Sequence, residues 1–191
     1  MKRVFIIHQW MAGADGDWYT WLKNELEKKG FQVFLPQMPN QDVPVIKERV
    51  DFLSSLVGAP SEETYFIGHS IGCQVIMRYL ETLPADAKVG GAIFVAGWFN
   101  LDGLENEGQE IVDIAKPWIE TPINFAKIKT ICSKIEVFLS SNEPYNYVEE
   151  NKKIFEDKLG AKVQIVNNRG HFMESDGVTE IPEIISLFNV W

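Results

Sequence analysis

The apolar run Tyr65-Phe66-Ile67 stops at Gly68, and a helix-compatible pattern begins directly after Ser70. A buried strand must therefore reverse into a helix within the pentad Gly68-His69-Ser70-Ile71-Gly72. So sharp a turn holds its central residue in a sparsely populated backbone conformation. Side chains at the flanking positions would collide with the following helix, which is why glycine is wanted on both sides. The turn lifts the Ser70 hydroxyl clear of the sheet and leaves the Ile71 amide at a helix N-terminus, free to donate to an oxyanion. A G-x-S-x-G pentad in this strand-turn-helix setting reads as a nucleophile elbow.

Strand and helix patterns alternate on both sides of it. Val4 to Ile7, Phe31 to Leu35, Thr64 to Ile67, Gly91 to Ala96, Ile135 to Leu139 and Lys162 to Val166 read as six strands. Between them the periodicity predicts a helix carrying Trp18, Trp21, Leu22 and Leu26, capped by Asp15 or Asp17 and ended by Gly30. Further helices are predicted from about Pro44 to Leu56, from Ser70 to Pro84, from Tyr145 to Leu159 and from Val178 to Phe188. The stretch from Gly97 to Ser133 is mixed, with one helical piece around Glu107 to Ala115, and is the place for an insertion over a pocket. Such alternation predicts an α/β fold with a six-stranded, mainly parallel sheet and helices on both faces. Ligands then bind outside the carboxyl ends of the strands.

At 191 residues and 46% hydrophobic content, the chain fits a single domain, 1–191, with a sizeable core. A net charge of −9 argues against nucleic acid and anionic membranes as partners. No apolar run approaches spanning length, and the basic start Met1-Lys2-Arg3 precedes too short an apolar run for a signal peptide. Cys73 and Cys132 make no disulfide framework, and a cytoplasmic location is expected.

A serine hydroxyl needs a base. Of three histidines, His69 lies inside the elbow, where adjacent side chains diverge, and His8 ends the first strand. His171, in Asn168-Arg169-Gly170-His171-Phe172, is the only histidine after the elbow, which makes it the candidate base in the order Ser, acid, His. The acid should follow a strand between them. Glu143 is the only ionisable residue in Ser140-Ser141-Asn142-Glu143-Pro144-Tyr145 and is preferred; Asp102, beyond the fourth strand, is the alternative. The second oxyanion donor is expected from the loop after the first strand, at Trp10 or alternatively Gln9, paired with Ile71. Trp98, Phe99, Tyr145 and Phe172, all in strand-end loops, are candidates to line an apolar pocket.

With these residues in place, the chain resembles the retinoblastoma-binding protein nine family of small serine hydrolases, a compact branch of the α/β-hydrolases. The resemblance is carried by the His8 loop, Trp18-Tyr19-Thr20-Trp21-Leu22, Leu35-Pro36-Gln37-Met38-Pro39-Asn40, the elbow, Ser141-Asn142-Glu143-Pro144-Tyr145 and Gly170-His171-Phe172. It implies a Ser, acid, His triad, an α/β-hydrolase fold without the first hairpin of larger relatives, and a minimal lid. Glu143 stands where the family usually has aspartate, and Gln9 where it often has glycine.

The expected function is hydrolysis of an ester, thioester or activated amide bond in a small acyl substrate through an acyl-enzyme on Ser70, with no metal or cofactor. Two alternatives accompany it. One is a catalytically weak binding protein acting through a protein partner. The other is a serine aminopeptidase on short peptides, in which Asp15, Asp17 or Asp102 would hold the substrate amine.

Overall fold

The unbroken apolar runs Val4-Phe5-Ile6-Ile7, Tyr65-Phe66-Ile67 and Ala92-Ile93-Phe94-Val95 require a sheet covered on both faces, because only there can both sets of alternating side chains leave water. The computed structural model describes residues 1–145 and 148–191. Its strands are β1 (Arg3–Ile7), β2 (Gln32–Phe34), β3 (Thr64–His69), β4 (Gly91–Val95), β5 (Ile135–Ser140) and β6 (Lys162–Val166). They lie in the order β2-β1-β3-β4-β5-β6, and every neighbouring pair is parallel. All positions of β3, β4 and β5 are buried. At the edges, β2 is short, and β6 turns Lys162 and Gln164 to solvent, which blunts further strand pairing.

The helices are α1 (Tyr19–Lys28), α2 (Ile46–Val57), α3 (Ile71–Thr82), α4 (Gln109–Glu120), α5 (Phe125–Ile131), α6 (Val148–Ile154) and α7 (Pro182–Leu187). Leu22, Leu26 and Ile184 from α1 and α7 pack with Val4, Ile6, Ile67 and Phe138 on one face. Leu53, Val75, Ile76 and Ile128 from α2, α3 and α5 pack with Phe5, Phe66, Phe94 and Val137 on the other. Alternate residues of one strand thus feed opposite cores.

Several boundaries differ from the sequence reading. Trp18, not Asp15 or Asp17, is the N-cap of α1, and no side chain caps it. Asp17 is instead bonded to Gln9 Nε2 and to the Glu174 amide. Pro44 precedes α2, its carbonyl accepting from Trp118 Nε1 at 3.0 Å. The stretch 97–133 holds α4, longer than expected, and also α5, started by the Asn124 side chain accepting from the Lys127 amide. The helix expected over 145–159 is α6 followed by a π-helical turn, Phe155–Leu159; positions 146–147 lie outside the described residues. Pro182 starts α7, four residues later than expected.

The sheet positions the site at a change of direction. From β1 the chain passes outward to β2, then returns to place β3 on the other side of β1, so the loops after β1 and β3 diverge and open a crevice. The elbow sits there. A Cβ on Gly68 would lie 2.7 Å from the Cys73 nitrogen, the expected collision with the following helix. A Cβ on Gly72 would meet something else: the Ile7 carbonyl oxygen at 2.2 Å, in the backbone of β1. The second glycine therefore lets the N-terminus of α3 lie directly against the end of β1. Gly72→Ala is expected to cost about 3 kcal/mol, since a central strand cannot yield locally, and to lower Tm by roughly 10 °C. Thermal unfolding that matches wild type would show that the approach is not required.

Candidate active site

Ser70 is held at φ 52° and ψ −119°, in the positive-φ region that few side chains tolerate. Its amide donates to Val95 O at 2.9 Å, which ties the turn to the end of β4. Ser70 Oγ lies 2.8 Å from His171 Nε2, and His171 Nδ1 lies 2.8 Å from Glu143 Oε1. An ionised carboxylate only accepts, so Nδ1 carries the imidazole proton and Nε2 presents its lone pair to the serine hydroxyl. Trp98 Nε1 donates to the same Oγ at 3.2 Å, from the loop after β4.

The loops after β5 and β6 are pinned to one another. Asn142 Oδ1 accepts from the Gly170 amide at 2.9 Å, and Ser140 Oγ accepts from the Arg169 amide at 2.9 Å. The His171 amide donates to Asp176 Oδ2 at 2.8 Å. The imidazole and Glu143 are thereby placed by backbone anchors on both sides. Asp102, the alternative acid, is exposed and turns its carboxylate to the Gly103 amide at 2.9 Å.

In the loop after β1, the Gln9 amide donates to Tyr19 Oη at 3.1 Å and is therefore occupied. The Trp10 and Ile71 amides have no hydrogen-bond acceptor among the described residues. The Gln9 side chain, which replaces the glycine frequent in the family, is drawn back to Asp17 Oδ2 at 2.7 Å.

Ser70 and His171 open into a cleft of about 420 Å³. Its apolar walls include Trp10, Met11, Trp98 and Tyr145, together with Leu101, Leu104 and Ile111 from the stretch between β4 and β5. Trp98 and Tyr145 are pocket residues expected from the sequence, whereas nothing in the irregular stretch after β4 marks Leu101, Leu104 and Ile111 as turning inward. Two aromatic residues expected in the pocket lie elsewhere. Phe99 packs in one core against Phe125 and Phe155, and Phe172 is buried in the other. Tyr145 meets the His171 ring edge-on, centroids 5.5 Å apart. Burial raises its pKa, assisted by Glu107, Glu143 and Asp176.

Of the carboxylates considered for holding an amine, Asp17 lines the cleft, but one oxygen accepts from Gln9 and the other from the Glu174 amide. Asp15 and Asp102 are exposed and do not line it. Glu107 and Glu174 do, and neither was singled out in the sequence. No helix among the described residues is long and apolar enough to cross a membrane.

Comparison with known proteins converges with this geometry. A family model described as serine hydrolase matches residues 4–190. The YdeN protein of Bacillus subtilis (strain 168) is 31% identical over 185 residues, covering 95% of this chain and 91% of its own. Serine hydrolase RBBP9 of Rattus norvegicus is 31% identical over 173 residues, covering 90% and 84%. The crystal structure of the B. subtilis ydeN product superposes with a TM-score of 0.89 at 27% identity, over 100% of this chain and 98% of that one. A carboxylesterase of the thaumarchaeon Nitrososphaera gargenis shares the fold, with a TM-score of 0.73 at 14% identity over 99% and 90% of the two chains. An elbow serine in contact with a histidine, on an all-parallel sheet matched almost end to end by these relatives, makes the chain a member of the serine hydrolase family with an α/β-hydrolase fold.

Proposed function

We propose that the protein hydrolyses ester, thioester or activated amide bonds of small acyl substrates through an acyl-enzyme on Ser70. The observation that carries this reading is the unbroken series Ser70 Oγ, His171 Nε2, His171 Nδ1, Glu143 Oε1, both contacts 2.8 Å, with Ser70 and His171 lining a cleft that has apolar walls. A cleft of about 420 Å³ falls within the usual ~300–1,000 Å³ of small-molecule sites.

In the first half-reaction Oγ forms a bond to the acyl carbon as its proton passes to His171 Nε2, and the carbonyl oxygen takes the negative charge. Glu143 stabilises the imidazolium without accepting its proton. The Ile71 and Trp10 amides receive the oxyanion, and the helix N-terminus of α3 adds its partial positive charge. Collapse expels the alcohol, thiol or amine, which leaves with the proton from Nε2. Water then repeats the sequence: His171 removes its proton, the acid product departs, and Oγ recovers a hydrogen.

Labelling by a fluorophosphonate probe tests the nucleophile. Wild type is expected to be labelled and Ser70→Ala not; equal labelling of the two would remove Ser70 from the mechanism. A binding protein with incidental chemistry predicts negligible turnover across acyl substrates and normal partner binding by Ser70→Ala, so turnover of acyl esters by wild type separates the two readings.

A further inference from the structure

His69 has no place in the series above, yet it is fully buried inside the elbow and both of its ring nitrogens are engaged. Nε2 lies 2.7 Å from the His171 carbonyl oxygen, an acceptor only, so Nε2 carries the proton and donates. Nδ1, 2.6 Å from Tyr19 Oη, must then accept the tyrosine hydroxyl hydrogen. Having given up its only hydrogen, Tyr19 Oη accepts from the Gln9 amide at 3.1 Å. Three bonds therefore run in one direction, from the Gln9 amide through Tyr19 and His69 to the backbone of His171.

Burial keeps the relay neutral. It lowers the His69 pKa to about 3 and raises that of Tyr19 well above its ordinary value. Asp17 Oδ2 lies 3.9 Å from His69 Nδ1 and accepts from the Gln9 side chain at 2.7 Å, and its charge adds to burial in holding the Tyr19 hydroxyl protonated.

The far end of the relay is the loop that carries the Trp10 amide. The Gln9 carbonyl belongs to the same peptide unit as that amide, and it accepts from His8 Nδ1 at 2.7 Å. His8 Nε2 in turn accepts from the Met38 amide at 2.9 Å, which fixes the His8 tautomer. In a trans peptide the N–H points opposite to the C=O. With its carbonyl directed at His8, the Gln9–Trp10 unit has its N–H aimed the other way, where no described group accepts it.

We propose that Tyr19 and His69 are positioning residues: the buried relay locks the loop presenting the Trp10 amide to the backbone of His171, so that oxyanion donor and base stay in register. This deepens the acyl-hydrolase reading and rests on it. Loss of an oxyanion donor costs on the order of 100- to 1,000-fold in rate, so a donor that is merely loosened should cost about tenfold.

Tyr19→Phe tests it. The ring keeps its packing against Trp18 and His69, while the Gln9 amide and His69 Nδ1 lose their shared partner. With a p-nitrophenyl ester, kcat is expected to fall about tenfold with KM within about twofold of wild type. The inhibition constant of a trifluoromethyl ketone, whose adduct with Ser70 bears an oxyanion, should rise by the same factor as kcat falls. A structural role alone would lower Tm without tying these two quantities together. Unchanged kcat, or a fall in kcat without a matching loss of ketone affinity, overturns the relay while leaving Ser70 as nucleophile. A wild type that fluorophosphonate fails to label overturns both. A second readout needs no variant: imidazole ¹⁵N shifts of wild type at neutral pH should report His69 as the Nε2–H tautomer. The Nδ1–H or doubly protonated form overturns the direction assigned here.

Discussion

Ser70→Ala and His171→Ala are each expected to lower kcat on an activated ester by on the order of 10⁶-fold, and the double variant by no more than either alone. Without Oγ there is no nucleophile; without His171 its proton has no destination, so either loss forfeits the same step. The residual rate would come from the oxyanion amides and the cleft, which both variants retain. KM should change little, because neither side chain is needed to seat the substrate against Trp10, Tyr145 and Ile111. Steady-state kinetics on all three variants checks this, and losses that multiply in the double variant would mean that the two residues do not act as a unit.

Glu143→Gln is expected to lower kcat by about 10⁴-fold, whereas Asp102→Asn should leave it within roughly threefold of wild type. The glutamine fits the same space, but its NH₂ group can donate to His171 Nδ1. That bond favours the tautomer protonated at Nε2, and Nε2 then has no lone pair for Ser70. Among the described residues the Asp102 carboxylate bonds the Gly103 amide of its own turn, and its backbone amide, which the substitution keeps, donates to Tyr145 O at 3.0 Å. Side-by-side kcat measurements decide the matter: a large loss at Asp102 with a small one at Glu143 would reverse the assignment of the acid.

The longer side chain of Glu143, relative to the aspartate usual in the family, is accommodated by its loop. Asn142 and Ser140 bind the amides of Gly170 and Arg169, so the β5 and β6 loops are joined at a separation that brings Glu143 Oε1 to 2.8 Å from Nδ1. Asn142 is thus used on backbone, not on the imidazole. Its role was invisible in the sequence because the Gly170 amide it holds is 28 residues away.

How far the sequence is legible varies with the range of the forces involved. Strand against helix could be read from Val4-Phe5-Ile6-Ile7 or Ile93-Phe94-Val95, since burial on both faces leaves a continuous apolar run. The short α5 leaves no periodicity in the sequence, because its 7 residues make too few turns, and it relies on packing of Ile128 and Ile131. Trp98 and Phe99 are neighbours of similar character, yet one donates to Ser70 and the other fills the core beside Phe155. Past the end of a strand, alternation no longer predicts which side a residue faces.

By itself, the sequence determined the alternation of strands and helices and the elbow that presents Ser70, because local sterics and the burial of contiguous residues act within a few positions of the chain. The tertiary structure alone decided which amide of the β1 loop stays free, which aromatic residues enter the cleft, and that Gly72 must clear the backbone of β1. Those outcomes depend on groups that separate elements bring together, such as the Gln9 amide meeting Tyr19 of α1, Trp98 meeting Ser70, and Gly72 meeting the Ile7 carbonyl, and buried polar atoms must find partners once the sheet has excluded water.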